Sequence, residues 1–175
     1  MRKIRFTTLS QIAAEKLDNN TCCIKNFEKP ILISITAPGE QLANIKVDIP
    51  ILRLQFDDVD KNEVDICSVP IFPFTEEQAK QIFDFIEEQK PDQIITHCKA
   101  GICRSQAVNA ALSKIILQTD DEFFKEGCPN MWVYRTMLNY WFNMFSRVES
   151  RKENSAHYLY PFIYKQRVKG FRIIH

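Results

Sequence analysis

Glycine is scarce, with four in a chain of 175 residues. No Gly/Ser-rich linker, repeat or low-complexity tract divides the sequence, and 175 residues that are 45% apolar suit one domain, 1–175, around one core. Charge of one sign is lacking too. Lys and Arg number 23 against 22 acidic residues, and a net charge of +1 provides no global field to draw nucleic acid or an anionic membrane. Neither is an expected partner, so any anion must be recognised locally. Long apolar runs are missing: Ile31 to Ala37 is interrupted by Ser34 and Thr36, far below the ~20 residues that cross a bilayer. Met1 to Leu17 has neither the apolar run nor the small-residue cleavage site of a signal peptide. No Cys-x-x-Cys pair occurs, and His97, His157 and His175 form no ligand-spaced cluster, which argues against a zinc site. The six cysteines (Cys22, Cys23, Cys67, Cys98, Cys103, Cys128) show no disulfide rhythm, and a reducing cytoplasm is the expected location.

What is present alternates between strand and helix. Lys3 to Phe6, Ile31 to Ile35, Ile49 to Gln55 and Gln93 to His97 are short runs rich in Ile, Val or Leu, as strands buried in a sheet require. Between the last two, Thr75 can cap a helix with Gln78 reaching back, and Ala79, Ile82, Phe83 and Ile86 fall on one face until Pro91 ends the pattern. Helices are also expected over Ser105 to Leu117, Asn130 to Phe145 and Ala156 to Gln166, making the C-terminal third helical. The aromatic residues Trp132, Tyr134, Tyr140, Trp141, Phe142 and Phe145 are expected to pack on the core. The fold class is therefore α/β: a mainly parallel central sheet of about four or five strands flanked by helices, with ligands bound beyond the carboxyl ends of the strands. Phe56 to Phe74 is a long irregular stretch that begins acidic, with Asp57, Asp58 and Asp60.

The chemistry concentrates in Ile94-Ile95-Thr96-His97-Cys98-Lys99-Ala100-Gly101-Ile102-Cys103-Arg104-Ser105, which reads as strand, tight turn and helix start. Such a turn gathers the backbone N–H groups from Lys99 to Arg104 around one spot, and the helix dipole adds about half a positive charge there. A tetrahedral dianion fits that spot. Gly101 permits the backbone conformation, and Arg104 offers a planar, permanently charged fork to two phosphate oxygens. The same field lowers the pKa of Cys98 and makes it a nucleophile. Ser105 is placed to donate to the sulfur, and His97 to orient the loop. Lys99 and Arg135 are candidate flanking cations.

His97-Cys98, five residues and Arg104-Ser105, with Ala100-Gly101 inside, resembles the signature of the cysteine-dependent protein tyrosine phosphatases, and the Ala-Gly pair resembles the dual-specificity branch. Pro129-Asn130 at the head of a late helix is similar to a step found in that branch. The resemblance spans about Ile49 to Leu138. It implies a phosphate monoester hydrolase acting through a cysteinyl-phosphate intermediate, with Cys98 as nucleophile and Ser105 assisting. Lys99, Ala100, Gly101, Ile102, Cys103 and Arg104 would bind phosphate, and no metal or cofactor is implied. It also implies an upstream general acid at the end of a strand. Asp58 is the expected residue, with Asp57 the alternative; Asp58 lies 40 residues before Cys98, a longer spacing than the branch shows, so Asp65, 33 before, also stays open.

Cys103 resembles the second cysteine in the loop of low-molecular-weight tyrosine phosphatases, which suggests a reversible Cys98–Cys103 disulfide. The order of loop and acid along the chain differs from that family. The expected partner is a phosphorylated protein or a small phosphomonoester, with oligomeric state open. Alternatives are a catalytically silent phospho-binding module, a phosphatase acting on a phosphoinositide or RNA 5′-phosphate, and a rhodanese-type sulfur-transfer enzyme.

Overall fold

The computed structural model describes residues 4–60, 70–149 and 160–170. Its centre is a sheet of four strands: β1 (Arg5–Ser10), β2 (Pro30–Thr36), β3 (Ile51–Gln55) and β4 (Gln93–Cys98). The order is β1-β4-β2-β3 and every pairing is parallel. All four carboxyl ends therefore lie on one edge, where Ser10 stands opposite Cys98 and Ser34 opposite His97.

Seven helices follow in chain order among the described residues: α1 (Gln11–Glu15), α2 (Cys22–Lys25), α3 (Glu76–Gln89), α4 (Arg104–Leu117), α5 (Asp121–Glu126), α6 (Met131–Glu149) and α7 (Pro161–Gly170). The central strands are buried on both faces. Ile31, Ile33, Ile35 and Ile94 pack with Phe83, Val108, Leu112 and Trp141 on one side, while Leu32 and Ile95 meet Ala14, Leu17 and Ile24 on the other. Each of these isoleucines is essentially dry and is worth about 1.5–3 kcal/mol of burial. Continuous apolar runs in β2 and β4, rather than alternation, are what a two-sided sheet demands.

Thr75 caps α3 as expected: its hydroxyl accepts from the Gln78 amide and the Gln78 side chain returns the bond. The helix ends on Lys90 in the left-handed conformation, just before Pro91. On α6, Trp141 is fully buried and Tyr140 stacks on Phe83 at 5.6 Å, whereas Phe142, also expected to pack on the core, is 46% exposed.

Several boundaries differ from the expectation: β3 starts at Ile51 rather than Ile49, and α6 runs on to Glu149 rather than Phe145. β1 continues to Ser10 rather than ending at Phe6: Thr7 to Ser10 pair with Ile95 to Cys98, and Asn109 of α4 donates to the Thr7 carbonyl and the Thr8 hydroxyl. The helix expected from Ser105 begins at Arg104. Asn130 is the residue before α6, and its side chain accepts from the Val133 amide. The last helix is described from Pro161, where Glu87 of α3 accepts the amides of Phe162 and Ile163. Asp65, Cys67 and residues 156–159 lie outside the described residues. Among the described residues, no helix is long and apolar enough to cross a membrane.

Candidate active site

β4 ends at Cys98 and α4 begins at Arg104, so the chain between them must turn within five residues. Gly101 makes the turn possible for two reasons. Its φ is +77°, where a side chain is strained, and a Cβ there would stand 2.7 Å from the backbone of both Leu9 and Ser10. The loop is thus pressed against the end of β1. It is tied down on both sides: the Gln11 amide donates to the Lys99 carbonyl at 3.2 Å, and the Asn130 amide donates to the Cys103 carbonyl at 3.2 Å.

Beneath the loop, a buried polar chain sets the angle of α4. The Thr96 hydroxyl donates to Asn109 Oδ1 at 2.7 Å, and Asn109 Nδ2 donates to Thr8 Oγ1 at 3.0 Å. His97 is fully buried and its Nε2 lies 2.8 Å from Ser34 Oγ. Burial holds its pKa down to about 4, so the ring is neutral at pH 7 and acts as a strut between β4 and β2.

Cys98 is 2% exposed, and its Sγ lies 3.1 Å from the Ser105 hydroxyl. Burial pushes the thiol pKa up. The Ser105 hydroxyl, the backbone N–H groups of Ser105 and Gly101 and the Arg104 charge act against it and prevail, leaving the pKa below that of an ordinary thiol.

Arg104 is also buried. Its Nη1 donates to the Phe56 carbonyl at 2.8 Å, which anchors the guanidinium to the chain leaving β3. Its Nε has no hydrogen-bond partner among the described residues and stands 4.0 Å from Asp58 Oδ2. A buried guanidinium N–H without a hydrogen bond is costly unless an anion is expected there.

Asp58 and Asp57 are adjacent but differently employed. Asp57 Oδ2 accepts from the Phe72 amide at 2.8 Å and the Asp57 amide donates to the Phe72 carbonyl at 2.8 Å, a closed pair that joins the two ends of the acidic loop. Asp58 faces Arg104 instead, and Asn130 Nδ2 donates to its Oδ1 at 2.8 Å. The Cys103 thiol is pushed up to about 11, first by burial and then by the charge of Asp58 and a hydrogen bond to it. A thiol held protonated in this way is a slow partner for disulfide exchange with Cys98.

The remaining loop residues face outward. Ala100 is exposed, Ile102 is 47% exposed, and Lys99 is paired with Glu40 at 3.5 Å. The structure thus brings Cys98, Arg104, Ser105 and Asp58 together, and directs Asp57 to the loop closure. Sequence reasoning placed Asn130 at a helix head but missed that one side chain joins Asp58, the loop and α6; the Pro129-Asn130 step was the available signal. The Phe56 carbonyl and the Glu40–Lys99 pair carried no sequence signal.

No protein-family model and no curated protein matches the chain by sequence. Solved structures do match by shape. The human tyrosine phosphatase-like serine/threonine/tyrosine-interacting protein superposes with a TM-score of 0.52 at 16% identity, over 77% of this chain and 89% of that one. PTPMT1 in complex with PI(5)P gives 0.45 at 15% identity, over 74% and 86%. Tk-PTP in the active form gives 0.40 at 14% identity, over 79% and 93%. The first of these likenesses, with the four-stranded parallel sheet, shows that the chain has a tyrosine phosphatase-like fold.

Proposed function

We propose that the chain hydrolyses phosphate monoesters, with a phosphorylated protein as the substrate class, through a phosphate carried on Cys98. The observation that carries this reading is the pairing of a sulfur whose pKa is lowered although it is buried with an adjacent buried Arg104 Nε that has no hydrogen bond among the described residues. Both features suit a phosphate dianion above the loop, cradled by the amides between Lys99 and Arg104 and by the guanidinium.

Two steps follow. In the first, the Cys98 thiolate attacks phosphorus, the S–P bond forms and the ester P–O bond breaks, while Asp58 gives its proton to the leaving oxygen. In the second, water attacks the cysteinyl phosphate and Asp58 takes the proton. The sulfur leaves as thiolate, stabilised by the Ser105 hydroxyl 3.1 Å away. Asn130 acts as a positioning residue, because its bond to Asp58 Oδ1 fixes which carboxylate of the acidic loop faces the cradle. The neutral His97 is not needed as a base, since the sulfur is activated by its surroundings.

The rival reading is a phosphate-binding module without turnover. Hydrolysis of para-nitrophenyl phosphate separates the two: the enzyme reading expects turnover in the wild type and none in Cys98→Ser. No turnover in the wild type, with phosphopeptide still bound, would establish the module instead.

A further inference from the structure

The edge of the sheet opposite the phosphate loop carries a cavity of about 530 Å³, within the ~300–1,000 Å³ usual for small-molecule sites. β2 begins at Pro30 and β4 at Gln93, and the cavity opens just before both, where residues 28–29 and 90–92 meet Phe162 and Gln166 of α7. The length of β4, at ~3.3 Å per residue, puts it roughly 20 Å from Cys98.

Its walls are fixed by hydrogen bonds. Asp92 Oδ1 accepts the Lys29 amide at 2.9 Å and Oδ2 the Glu28 amide at 3.0 Å, which clamps the two connecting segments together. Glu87 of α3 accepts the amides of Phe162 and Ile163, which seats α7 against α3. Pro91 and Phe162 are buried and form the apolar floor.

Gln166 is the first sign of a ligand. It is only 8% exposed and lines the cavity, yet its side-chain amide has no hydrogen-bond partner among the described residues. A buried amide is normally bonded. Charge is the second sign. Four charged side chains line the cavity, and Asp92 has committed both oxygens to the clamp. The side chains of Lys29, Lys90 and Glu28 have no partner among the described residues, so two ammonium groups and one carboxylate are free to meet a ligand. Lys90 also ends α3 at a φ of 51°, in the left-handed region that glycine or asparagine occupies with less strain, so a cation is kept there at a conformational cost.

We propose that this cavity binds a small organic anion, a single carboxylate or phosphate head on an apolar body. Lys29, Lys90 and the Gln166 amide N–H take the head, and Phe162 and Pro91 take the body. Glu28 limits the ligand to one anionic group, and the neighbouring hollow beyond it adds Asp48 and Glu88. The inference does not depend on the chemistry at Cys98.

The test titrates isotope-labelled whole chain with benzoate and with phenylphosphonate, neither of which is an ester that the protein could hydrolyse. In nuclear magnetic resonance spectra at least one of them should move the Gln166 side-chain amide signal, with a Kd of roughly 1 mM or below. Movement with benzoate alone identifies the head as a carboxylate, and with phenylphosphonate alone as a phosphate. Lys29→Gln with Lys90→Asn should weaken that binding at least about fivefold, the size expected of two exposed ion pairs. Gln166→Leu should abolish the rise in Tm that the anion produces. It should leave the Tm of the ligand-free protein unchanged or raise it by up to roughly 3 °C, since no bond is lost. No movement of the Gln166 signal with either anion by about 10 mM would overturn the site, as would movement confined to the Gly101 amide of the phosphate loop. So would an affinity unchanged by the lysine substitutions, or a Gln166→Leu protein that melts several degrees lower, because the amide would then be holding the fold.

Discussion

Replacing Ser105 by alanine removes one oxygen from the site and tests how the sulfur is kept ionised. Ser105 is fully buried, and its hydroxyl lies 3.1 Å from Cys98 Sγ. Burial of Cys98 works against the thiolate, so the bonds from Ser105, the Gly101 amide and the Arg104 charge must together outweigh it. A hydrogen bond to a charged group is worth about 1.5–3 kcal/mol, and each 1.36 kcal/mol is a factor of ten in the ionisation equilibrium. At a pH well below the inflection, Ser105→Ala should hold roughly ten- to hundredfold less thiolate than the wild type. The backbone N–H of residue 105 survives the change, which sets an upper limit on the loss.

Alkylation by iodoacetamide reads this directly, with the Cys98-containing peptide quantified by mass spectrometry so that the exposed Cys22 and Cys128 do not interfere. The rate at low pH should fall by the factor above, and its inflection should move upward. Ser105→Thr, which keeps a hydroxyl, should restore most of the rate. Alkylation within about twofold of the wild type across the whole range would refute the reasoning, because the hydroxyl would then contribute nothing against burial.

Other consequences follow from the same geometry. Asp58→Asn should lower kcat by roughly 10²–10⁴ for an alkyl phosphate, which needs its leaving oxygen protonated, whereas Asp57→Asn should lower it far less. Equal losses in steady-state kinetics would mean the two carboxylates are misassigned. Gly101→Ala places a methyl 2.7 Å from the Leu9 and Ser10 backbone at a φ of +77°. It should cost more than about 2 kcal/mol, or at least ~4 °C in Tm by calorimetry. His97 carries a pH dependence whose sign is set by its folded pKa of about 4, below the ordinary 6.5. Between those values the unfolded chain binds the extra proton, so the stability His97 contributes is complete above pH 6.5 and is lost progressively as the pH falls toward 4. Urea midpoints measured across that window should decline less steeply in His97→Gln than in the wild type.

The sequence was most legible where local chemistry decides structure. The run from Gln93 to Cys98 has no polar interruption that a buried strand cannot satisfy, and Thr75 with Gln78 is a self-contained cap, so both elements appear where expected. The Cys98-to-Arg104 spacing likewise dictates a short loop before a helix. What the sequence could not show depends on chain segments meeting from afar. The need for glycine at 101 comes as much from the Leu9–Ser10 backbone as from φ, and nothing near position 101 encodes that neighbour. β1 runs past Phe6, where the apolar run ends, and the Asn109 side chain that bonds Thr7 and Thr8 comes from about a hundred residues away. α1, α2 and α5 are four to six residues long, too short for a periodic pattern. Asp57 and Asp58 are indistinguishable as a pair of letters. Only the Phe72 amide and the Asn130 side chain, arriving from 15 and 72 residues away, tell them apart.

The most direct measurement is to locate phosphate on the protein during turnover. With para-nitrophenyl phosphate in excess, rapid denaturation in alkali within the first turnovers and peptide mass spectrometry should find a phosphate on the Cys98 sulfur, absent from Cys98→Ser and accumulating further in Ser105→Ala as its breakdown slows. Hydrolysis that proceeds with Cys98 never phosphorylated, or undiminished in Cys98→Ser, would contradict the account.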